Sequence, residues 1–200
     1  MKTLVRPAAP GDLDAAADAL SAAFADYPWT RYVIPEDGYA ERLHTLQHLY
    51  LRHALRHGIV AVTDPAGGVI ALLPPDAPEP DAGTIRQIIA LHGDRIGRVG
   101  DDGSAPPADD PGSGRPAAWR LETLGVHPDR QGGGLGGALV RFALDAAARR
   151  GAHEIELETS DPRNVRLYER FGFATVAHPA SAGSERSDVP PVWRMRTAGI

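Results

Sequence analysis

The sequence predicts one α/β domain (α+β in its strand directions) with a mixed central sheet of six to seven strands, flanked by about four to five helices. Three observations predict it. The 200-residue chain suits a single domain over residues 1–200 and is long enough to bury a core. Short apolar segments alternate with stretches at helical spacing. Its 22 glycines and 18 prolines are too few for a low-complexity chain and therefore indicate loops within a folded domain.

The composition excludes several classes of protein. There is no cysteine, which excludes a disulfide-stapled module, a thiolate zinc site and a cysteine nucleophile. A net charge of −5 argues against nucleic acid as a partner. No apolar run is long enough to cross a membrane, and the N-terminus lacks the apolar core of a signal peptide. We therefore expect no membrane partner and a cytoplasmic location.

The first half of the chain is predicted to hold three strands, three helices and an aromatic loop. Proline and glycine turns separate these elements, and two of the strands flank a four-residue turn as a hairpin. The third helix carries isoleucines and a leucine as its apolar stripe. The predicted elements are a strand at Thr3–Arg6, a helix at Leu13–Phe24, a loop from Tyr27 to about Pro35, a helix at Tyr39–His57, strands at Ile59–Thr63 and Gly68–Leu73, and a helix at Thr84–Ile96.

The second half is predicted to alternate strands and helices after a flexible insertion at about residues 100–116, a stretch of Gly, Asp, Ser, Pro and Ala with almost nothing to bury. Asp161 and Pro162 form an N-cap followed by a proline at the first helical position. The predicted elements are a strand at Trp119–Val126, a helix at Leu135–Arg150, a strand at Glu154–Thr159, a helix from Pro162 to Phe171, and antiparallel strands at Phe173–His178 and Pro191–Arg196.

A glycine-rich turn joins the strand that ends at Val126 to the helix that begins at Leu135. Glycines let backbone N–H groups converge on an anion, and the positive end of the helix adds to this attraction. The turn therefore predicts a phosphate or pyrophosphate site, and the alternative is a tight turn without a ligand. Its sequence is Gln131-Gly132-Gly133-Gly134-Leu135-Gly136-Gly137, preceded by Arg130.

Two nucleotide folds fit this turn less well. Gly132, Gly134 and Gly137 satisfy G-x-G-x-x-G, and Glu158 follows about 20 residues later, as in a dinucleotide-binding fold. The chain after Gln131 is too short for the βα units that such a sheet needs. No Gly-Lys-Ser/Thr follows, which excludes a P-loop.

The turn resembles the acyl-CoA pyrophosphate loop of the GCN5-related N-acetyltransferases, Q/R-x-x-G-x-G/A. Asn164, Tyr168 and Gly172-Phe173 reproduce the N-x-x-x-Y-x-x-x-G-F arrangement of that family about 30 residues later. The resemblance implies the family's fold, with a splay between the fourth and fifth strands and acetyl-CoA as cofactor. It also implies that pantetheine lies against Leu124, Gly125 and Val126, and that residues 130–137, Asn164 and Tyr168 complete the cofactor site.

Other segments resemble the family members that acetylate the antibiotic puromycin. These segments are spread over nearly the full length, and the chain departs from that pattern at Ile70–Pro74, at Glu122 and in the 100–116 insertion. The similar segments are Ala23–Pro28, Ala118-Trp119, Val126–Asp129, Leu157–Ser160, Pro162–Asn164 and Tyr168–Arg170.

Acetyl transfer to an amine needs an acid for the leaving thiolate and a route for the amine proton. The resemblance implies direct attack in a ternary complex, without an acyl-enzyme. Tyr168 is the candidate acid, since a phenol is protonated at pH 7; its alternative is a core tyrosine. Glu122 and Glu158 are candidate bases, and loss of the proton to bulk water is the third possibility.

The acceptor site is predicted from aromatic residues. Tyr27, Trp29 and Tyr32 lie where the family places its acceptor lid, and their alternative is anchoring of a loop onto the core. Trp193 would line the opposite wall. Two histidine pairs at i, i+4 spacing, His44/His48 and His53/His57, lack the glutamate of H-E-x-x-H and a third ligand, so we expect no metal.

The sequence as a whole predicts an acetyl-CoA-dependent N-acetyltransferase of small-molecule amines, such as an antibiotic, acting as a monomer or homodimer. The alternatives are a protein or peptide N-acetyltransferase and a non-catalytic acyl-CoA-binding module.

Overall fold

The computed structural model describes residues 4–100, 118–177, 188–197 and 199, and in this part of the chain a seven-stranded sheet carries six α-helices. The strand order is β1-β2-β3-β4-β5-β7-β6. The strands are β1 (Val5–Pro7), β2 (Ile59–Thr63), β3 (Gly68–Leu73), β4 (Trp119–Val126), β5 (Ile155–Thr159), β6 (Phe173–Ala177) and β7 (Trp193–Thr197). The helices are α1 (Leu13–Phe24), α2 (Pro28–Val33), α3 (Tyr39–His57), α4 (Ala82–His92), α5 (Leu135–Ala148) and α6 (Pro162–Glu169).

The sheet is mixed, as predicted, because one of its strand pairs is parallel. Strands β4 and β5 run parallel but pair only where Trp119 faces Ile155 and Arg120 faces Glu156. Beyond these residues β4 pairs only with β3, and β5 pairs only with β7. The two strands therefore diverge, which confirms the expected splay between the fourth and fifth strands.

A β-bulge in β4 accompanies the splay. Ala71 pairs with Thr123 whereas the next residue of β3, Leu72, pairs with Leu121, so Glu122 is the extra residue. The bulge inverts the alternation of side chains. Leu121 before it and Leu124 after it both pack in the cluster beneath α5. Thr123 and Gly125, two residues further along β4, consequently face the opposite side of the sheet.

Helices cover both faces of the sheet. The face toward α5 and α6 holds a cluster that includes Ile70, Leu139 and Tyr168. The face toward α1 and α3 holds a second cluster around Leu20 and Leu51. These two layers fill the interior on either side of β3 and β4, as expected for a sheet whose central strands are buried on both faces.

Gly125 of β4 lies directly beneath α1. A Cβ at this position would stand 2.7 Å from Leu20 Cδ2 and 3.1 Å from Ala23 Cβ, and Leu20 is fully buried. Glycine therefore lets the helix approach the strand more closely than any side chain would allow.

The main difference from the sequence-based elements is α2, which was predicted to be loop. Pro28 occupies its first helical position, and the hydroxyl of Thr30 donates to the Phe24 and Tyr27 carbonyls. Six residues are too few for a helical period to show in so aromatic a segment. With this short helix the described residues form six α-helices, one more than the four to five expected.

The helix predicted over Thr84–Ile96 is also different. It starts at Ala82 and ends at His92, because Gly93 has a positive φ of 54°, and a 3₁₀ helix continues over Gly93–Arg98. Ile88 packs on the core whereas Ile89 is exposed, so only part of the predicted stripe is buried. The other boundaries agree or differ by at most two residues, and the predicted insertion falls, except for Gly100, outside the described residues. Among these residues no helix is both long and apolar enough to cross a membrane.

We expect Gly125→Ala to lower the free energy of unfolding by about 1–3 kcal/mol, because the added Cβ overpacks the contact with α1. Urea unfolding measures this change. Gly11→Ala is the matched control: its Cβ would meet nothing within 4 Å, and its stability should stay within about 0.5 kcal/mol of the parent. Equal stability of the two variants would show that α1 does not need this close approach.

Candidate active site

The divergence of β4 and β5 opens a cavity of about 290 Å³. Residues from both strands and from the helices on both faces of the sheet line it. The cavity thus connects the α1/α3 face with the α5/α6 face through the gap in the sheet. Its described lining comprises Phe24, Tyr27, Trp29, Thr30, Gln47, Tyr50, Ala71, Leu121, Glu122, Thr123, Leu124, Glu158, Thr159, Ser160, Asn164, Tyr168 and Val192.

Most of the side chains predicted to take part in chemistry meet in this cavity. The candidate acid Tyr168 and both candidate bases, Glu122 and Glu158, line it. They are joined by two predicted cofactor contacts, Leu124 and Asn164, and by two predicted acceptor contacts, Tyr27 and Trp29.

Tyr168 reaches the cavity from α6 and is 5% exposed. Its ring packs against Phe173 with centroids 5.5 Å apart. Burial, and to a lesser degree Tyr27, raises the pKa of Tyr168, so the phenol is protonated at neutral pH. Its hydroxyl has no hydrogen-bond partner among the described residues. The ring is thus core packing while the hydroxyl is a donor available to a ligand.

Glu122 enters the cavity from the bulge of β4, where the extra residue changes the direction of the side chain. The side chain is one-quarter exposed and accepts a hydrogen bond from Arg120 Nε. Burial and the Glu122 charge together raise the pKa of Tyr50 on α3 to about 12. Both residues line the cavity, Tyr50 from α3 and Glu122 from β4.

Glu158 stands at the other side of the gap and is more open, with 43% of its side chain exposed. It faces Arg194 across the β5–β7 pair and accepts a hydrogen bond of 2.8 Å from the Arg194 Nε. Its neighbour Glu156 likewise pairs with Arg196. The outer face of β5 is therefore a ladder of ion pairs rather than a row of solvated carboxylates.

Tyr27 links α1 to the end of β5. Its hydroxyl lies 3.1 Å from the Thr159 hydroxyl and accepts the Ser160 backbone N–H at 2.5 Å. The Asn164 amide donates to the same Thr159 oxygen at 3.2 Å. Burial raises the pKa of Tyr27. The hydroxyl of this predicted acceptor contact is thus occupied by the protein, and only its ring remains for a ligand.

The glycine turn continues from β4 into α5, beyond the cavity. Gly132 and Gly134 have positive φ angles of 82° and 76°, and no atom lies within 4 Å of a Cβ built at either position. Gly134 is the N-cap of α5 and offers no side chain to the first-turn N–H groups. The turn therefore presents an open, uncapped helix N-terminus, which suits an anion.

The remaining residues predicted to bind cofactor shape this turn. Gln131 donates from its side-chain amide to the Val126 carbonyl at 3.0 Å, which closes the turn against β4. Arg130 packs over Gly67 of the β2–β3 hairpin, whose Cβ would lie 3.1 Å from Arg130 Cγ. Gly137 lets Phe171 pack onto α5, since a Cβ there would lie 3.2 Å from its ring. Gly133, Leu135 and Gly136 complete the turn and the start of α5.

Two predicted acceptor residues do not line the cavity. Tyr32 is buried in the core with Val33 and Leu43. The Arg98 guanidinium lies 4.9 Å from the centroid of its ring. Trp193 pairs with Thr159 on β7, and the residue before it, Val192, lines the cavity instead. Core packing fixes the position of Tyr32, and strand pairing fixes that of Trp193. Residue type alone does not reveal either position.

Sequence reasoning missed six polar side chains in the described lining: Thr30 of α2, Gln47 and Tyr50 of α3, Thr123 of β4, Thr159 of β5 and Ser160 just after it. Gln47 carried a signal, because it sits four residues after Leu43 and seven before Ala54 on the buried face of α3. A polar residue at a position of the apolar stripe is a candidate for a ligand contact.

Among the described residues no group of three or more metal-ligating side chains is present. Two of the four histidines of α3 pair with carboxylates of α1: His44 lies 3.1 Å from Asp18, and His48 lies 3.3 Å from Asp14. These contacts join the two helices.

The chain belongs to the acetyltransferase (GNAT) family, whose family model matches residues 21–173. Mycothiol acetyltransferase of Beutenbergia cavernae is 44% identical over 69 residues, which are 34% of this chain and 23% of that protein. The chain therefore spans about a quarter of the length of this curated relative.

Solved structures share the fold over the full length. A structure described as histone acetyltransferase HPA2 and related acetyltransferase from Corynebacterium glutamicum has a TM-score of 0.71 and 24% identity, covering 100% of this chain and 98% of that one. A Salmonella typhimurium acetyltransferase structure, with its cofactor acetyl-CoA, has a TM-score of 0.56 and 17% identity, covering 98% and 93%. The chain is therefore a member of the acetyltransferase (GNAT) family with the fold of these structures.

We expect Gly134→Ala to lower the free energy of unfolding by about 1–2 kcal/mol, because a side chain strains the left-handed backbone at the start of α5. Urea unfolding of the ligand-free protein measures it. Gly133→Ala is the matched control, since its φ is not in the left-handed region and its Cβ would meet no atom closer than 4.0 Å. If Gly133→Ala were the more destabilised variant, backbone strain would not be the reason for glycine at position 134.

Proposed function

We propose that this enzyme transfers the acetyl group of acetyl-CoA to a primary amine of a small molecule, by direct attack within a ternary complex. The observation that carries the proposal is the lining of the cavity. Two carboxylates, Glu122 and Glu158, line it together with four aromatic side chains from α1, α2 and α3, and none of its described residues is basic. Such a lining favours a cationic or neutral amine with an apolar body and disfavours an anion.

The size of the cavity favours a small acceptor over a peptide. A volume of about 290 Å³ lies at the lower end of small-molecule sites, which span roughly 300–1,000 Å³. Mycothiol acetyltransferase, which resembles one part of this chain, is named for a small-molecule acceptor. Puromycin is a specific candidate, because segments along the chain resemble the acetyltransferases that modify it. A cytoplasmic location fits the acetyl-CoA supply.

The protein has residues that fit acetyl-CoA at the glycine turn and along β4. The turn at 131–137 and the uncapped N-terminus of α5 suit its pyrophosphate. The unpaired inner edge of β4 near Leu124 suits the amides of its pantetheine arm, as an added strand would. When bound, acetyl-CoA supplies an activated acetyl group and a thiol leaving group.

Two side chains of the protein then take up and donate the protons of the reaction. Glu122 takes a proton from the acceptor ammonium, which frees the nitrogen lone pair for the new C–N bond. Tyr168 donates its phenolic proton to the sulfur as the C–S bond breaks, and the second proton, which the nitrogen loses as it becomes an amide, restores the phenol. Both carboxylates are ion-paired, Glu122 with Arg120 and Glu158 with Arg194, and Glu122 is favoured because its side chain is more enclosed, 25% against 43% exposed, and lies at the gap itself.

The function is tested by release of free thiol from acetyl-CoA with a panel of primary amines that begins with puromycin. The parent enzyme should release thiol with at least one amine. Tyr168→Phe should lower kcat about 100-fold or more while the Kd for acetyl-CoA stays within about threefold, because phenylalanine keeps the packing and loses only the proton donor.

Tyr39→Phe serves as the contrasting variant, since the Tyr39 hydroxyl bonds to Thr30 and to the Phe24 carbonyl within the protein. It should lose about 1 kcal/mol of stability and keep most of its turnover. Tight acetyl-CoA binding with no thiol release for any amine would refute the proposed function, and full turnover of Tyr168→Phe would remove Tyr168 from it.

We expect Glu122→Gln to lower kcat/KM about 100-fold near neutral pH, because a glutamine cannot take up the amine proton. Glu158→Gln should raise the acceptor KM and keep most of kcat. Steady-state kinetics of both variants, with an amine that the parent enzyme acetylates, measures these changes. A Glu122→Gln variant with the parent's kcat/KM would exclude Glu122 as the base.

A further inference from the structure

Two polar side chains in the cavity have no hydrogen-bond partner in the described part of the chain. Gln47 is only 8% exposed, and its amide makes no hydrogen bond there. The hydroxyl of Thr123 is fully buried and is also unpaired. Burying such groups without partners is costly, so native proteins leave few of them unsatisfied.

Both groups lie on the same side of the sheet. The bulge at Glu122 turns Leu121 and Leu124 toward α5, which leaves Thr123 facing α1 and α3. Gly125, two residues on and so on the same face, meets α1 directly. Gln47 enters the cavity from α3, one turn before Tyr50. The two unpaired groups therefore flank the part of the cavity that lies away from α5 and the glycine turn.

The proposed chemistry leaves both groups unused. Neither can take up the amine proton or donate one to sulfur, since an amide and an aliphatic hydroxyl are neutral over the working range of pH. Each can donate and accept hydrogen bonds. A neutral polar group on the acceptor would satisfy them, whereas an apolar acceptor would displace cavity water and leave both unpaired.

We propose that Gln47 and Thr123 form a specificity subsite that binds a neutral hydrogen-bonding group of the acceptor, next to the amine that is acetylated. This inference rests on the proposed function and narrows its acceptors to amines that also carry an amide or hydroxyl. Simple alkylamines and arylalkylamines, which lack such a group, are then poorer acceptors.

The test compares matched amines in the full-length enzyme with acetyl-CoA. L-phenylalaninamide and 2-phenylethylamine share the benzyl group and the primary amine, and L-tryptophanamide and tryptamine form a second pair. The quantity measured is the ratio of kcat/KM between the amide and the plain amine of each pair. The amide lowers the basicity of its amine and so affects the ratio by itself, and comparison between variants cancels that effect.

Gln47→Leu and Thr123→Val keep side-chain volume and remove the polar groups. We expect each to lower the ratio about tenfold or more, chiefly through loss of kcat/KM for the amide. Gln87→Leu makes the same chemical change on the exposed face of α4 and should leave the ratio unchanged. Circular dichroism and urea unfolding verify that each variant is folded.

The outcomes separate this inference from the function on which it rests. Thiol release with ratios that neither Gln47→Leu nor Thr123→Val changes would overturn the subsite and leave the N-acetyltransferase proposal standing. Thiol release with no amine of the wider panel would overturn both. A lowered ratio in both variants, with acetyl-CoA affinity unchanged, supports the subsite and excludes a general loss of structure as its cause.

Discussion

The early end of pairing between β4 and β5 is the constraint on which the site depends. A parallel pair that stops after two residues leaves the inner edges of both strands, in the middle of a sheet, without backbone partners among the described residues. Unpaired backbone groups away from water are costly unless something else bonds to them. The protein therefore maintains an opening that a ligand or water can complete. The outer edges stay paired, β4 with β3 and β5 with β7, and this holds the opening in a rigid frame.

Several contacts keep the two strands apart in a fixed geometry. Helix α1 presses on β4 at Gly125, and Tyr27, just beyond α1, bonds across the gap to Thr159 and Ser160 at the end of β5. Asn164 of α6 bonds to the same threonine. The hydroxyl of Thr159 thus joins helices from both faces of the sheet, and Tyr168 projects from α6 into the space these contacts define. Rigid placement of reacting groups accounts for much of what an enzyme contributes.

The sequence predicted the parts of the fold that local chemistry specifies. Strand β4 and the β2–β3 hairpin agree with their predicted bounds, because a proline-glycine turn and continuous apolar runs leave few alternatives. The glycine turn and Tyr168 were predicted because each carries a motif, and Tyr168 lines the cavity. Helix α2 was missed because six residues are too short for a period. Tyr32 and Trp193 were misplaced because their directions depend on packing against distant elements, and Gln47 was missed because helical spacing shows that a position is buried without showing what faces it.

Under the proposed function, the electrostatics of the cavity set two opposing requirements for an amine acceptor. The carboxylates, which have no basic neighbour among the described residues of the lining, attract an ammonium ion, yet only the neutral amine can form the new bond. The arginines that pair with these carboxylates, Arg120 and Arg194, do not line the cavity, and they lessen its negative charge from outside. A moderated charge draws in the cation without holding it so strongly that its proton cannot leave. The same enclosed, aromatic surroundings that disfavour charge then assist the loss of that proton, since burial lowers the pKa of an amine. Attraction and deprotonation are therefore both served by a pair of partly neutralised carboxylates at the edge of an apolar space.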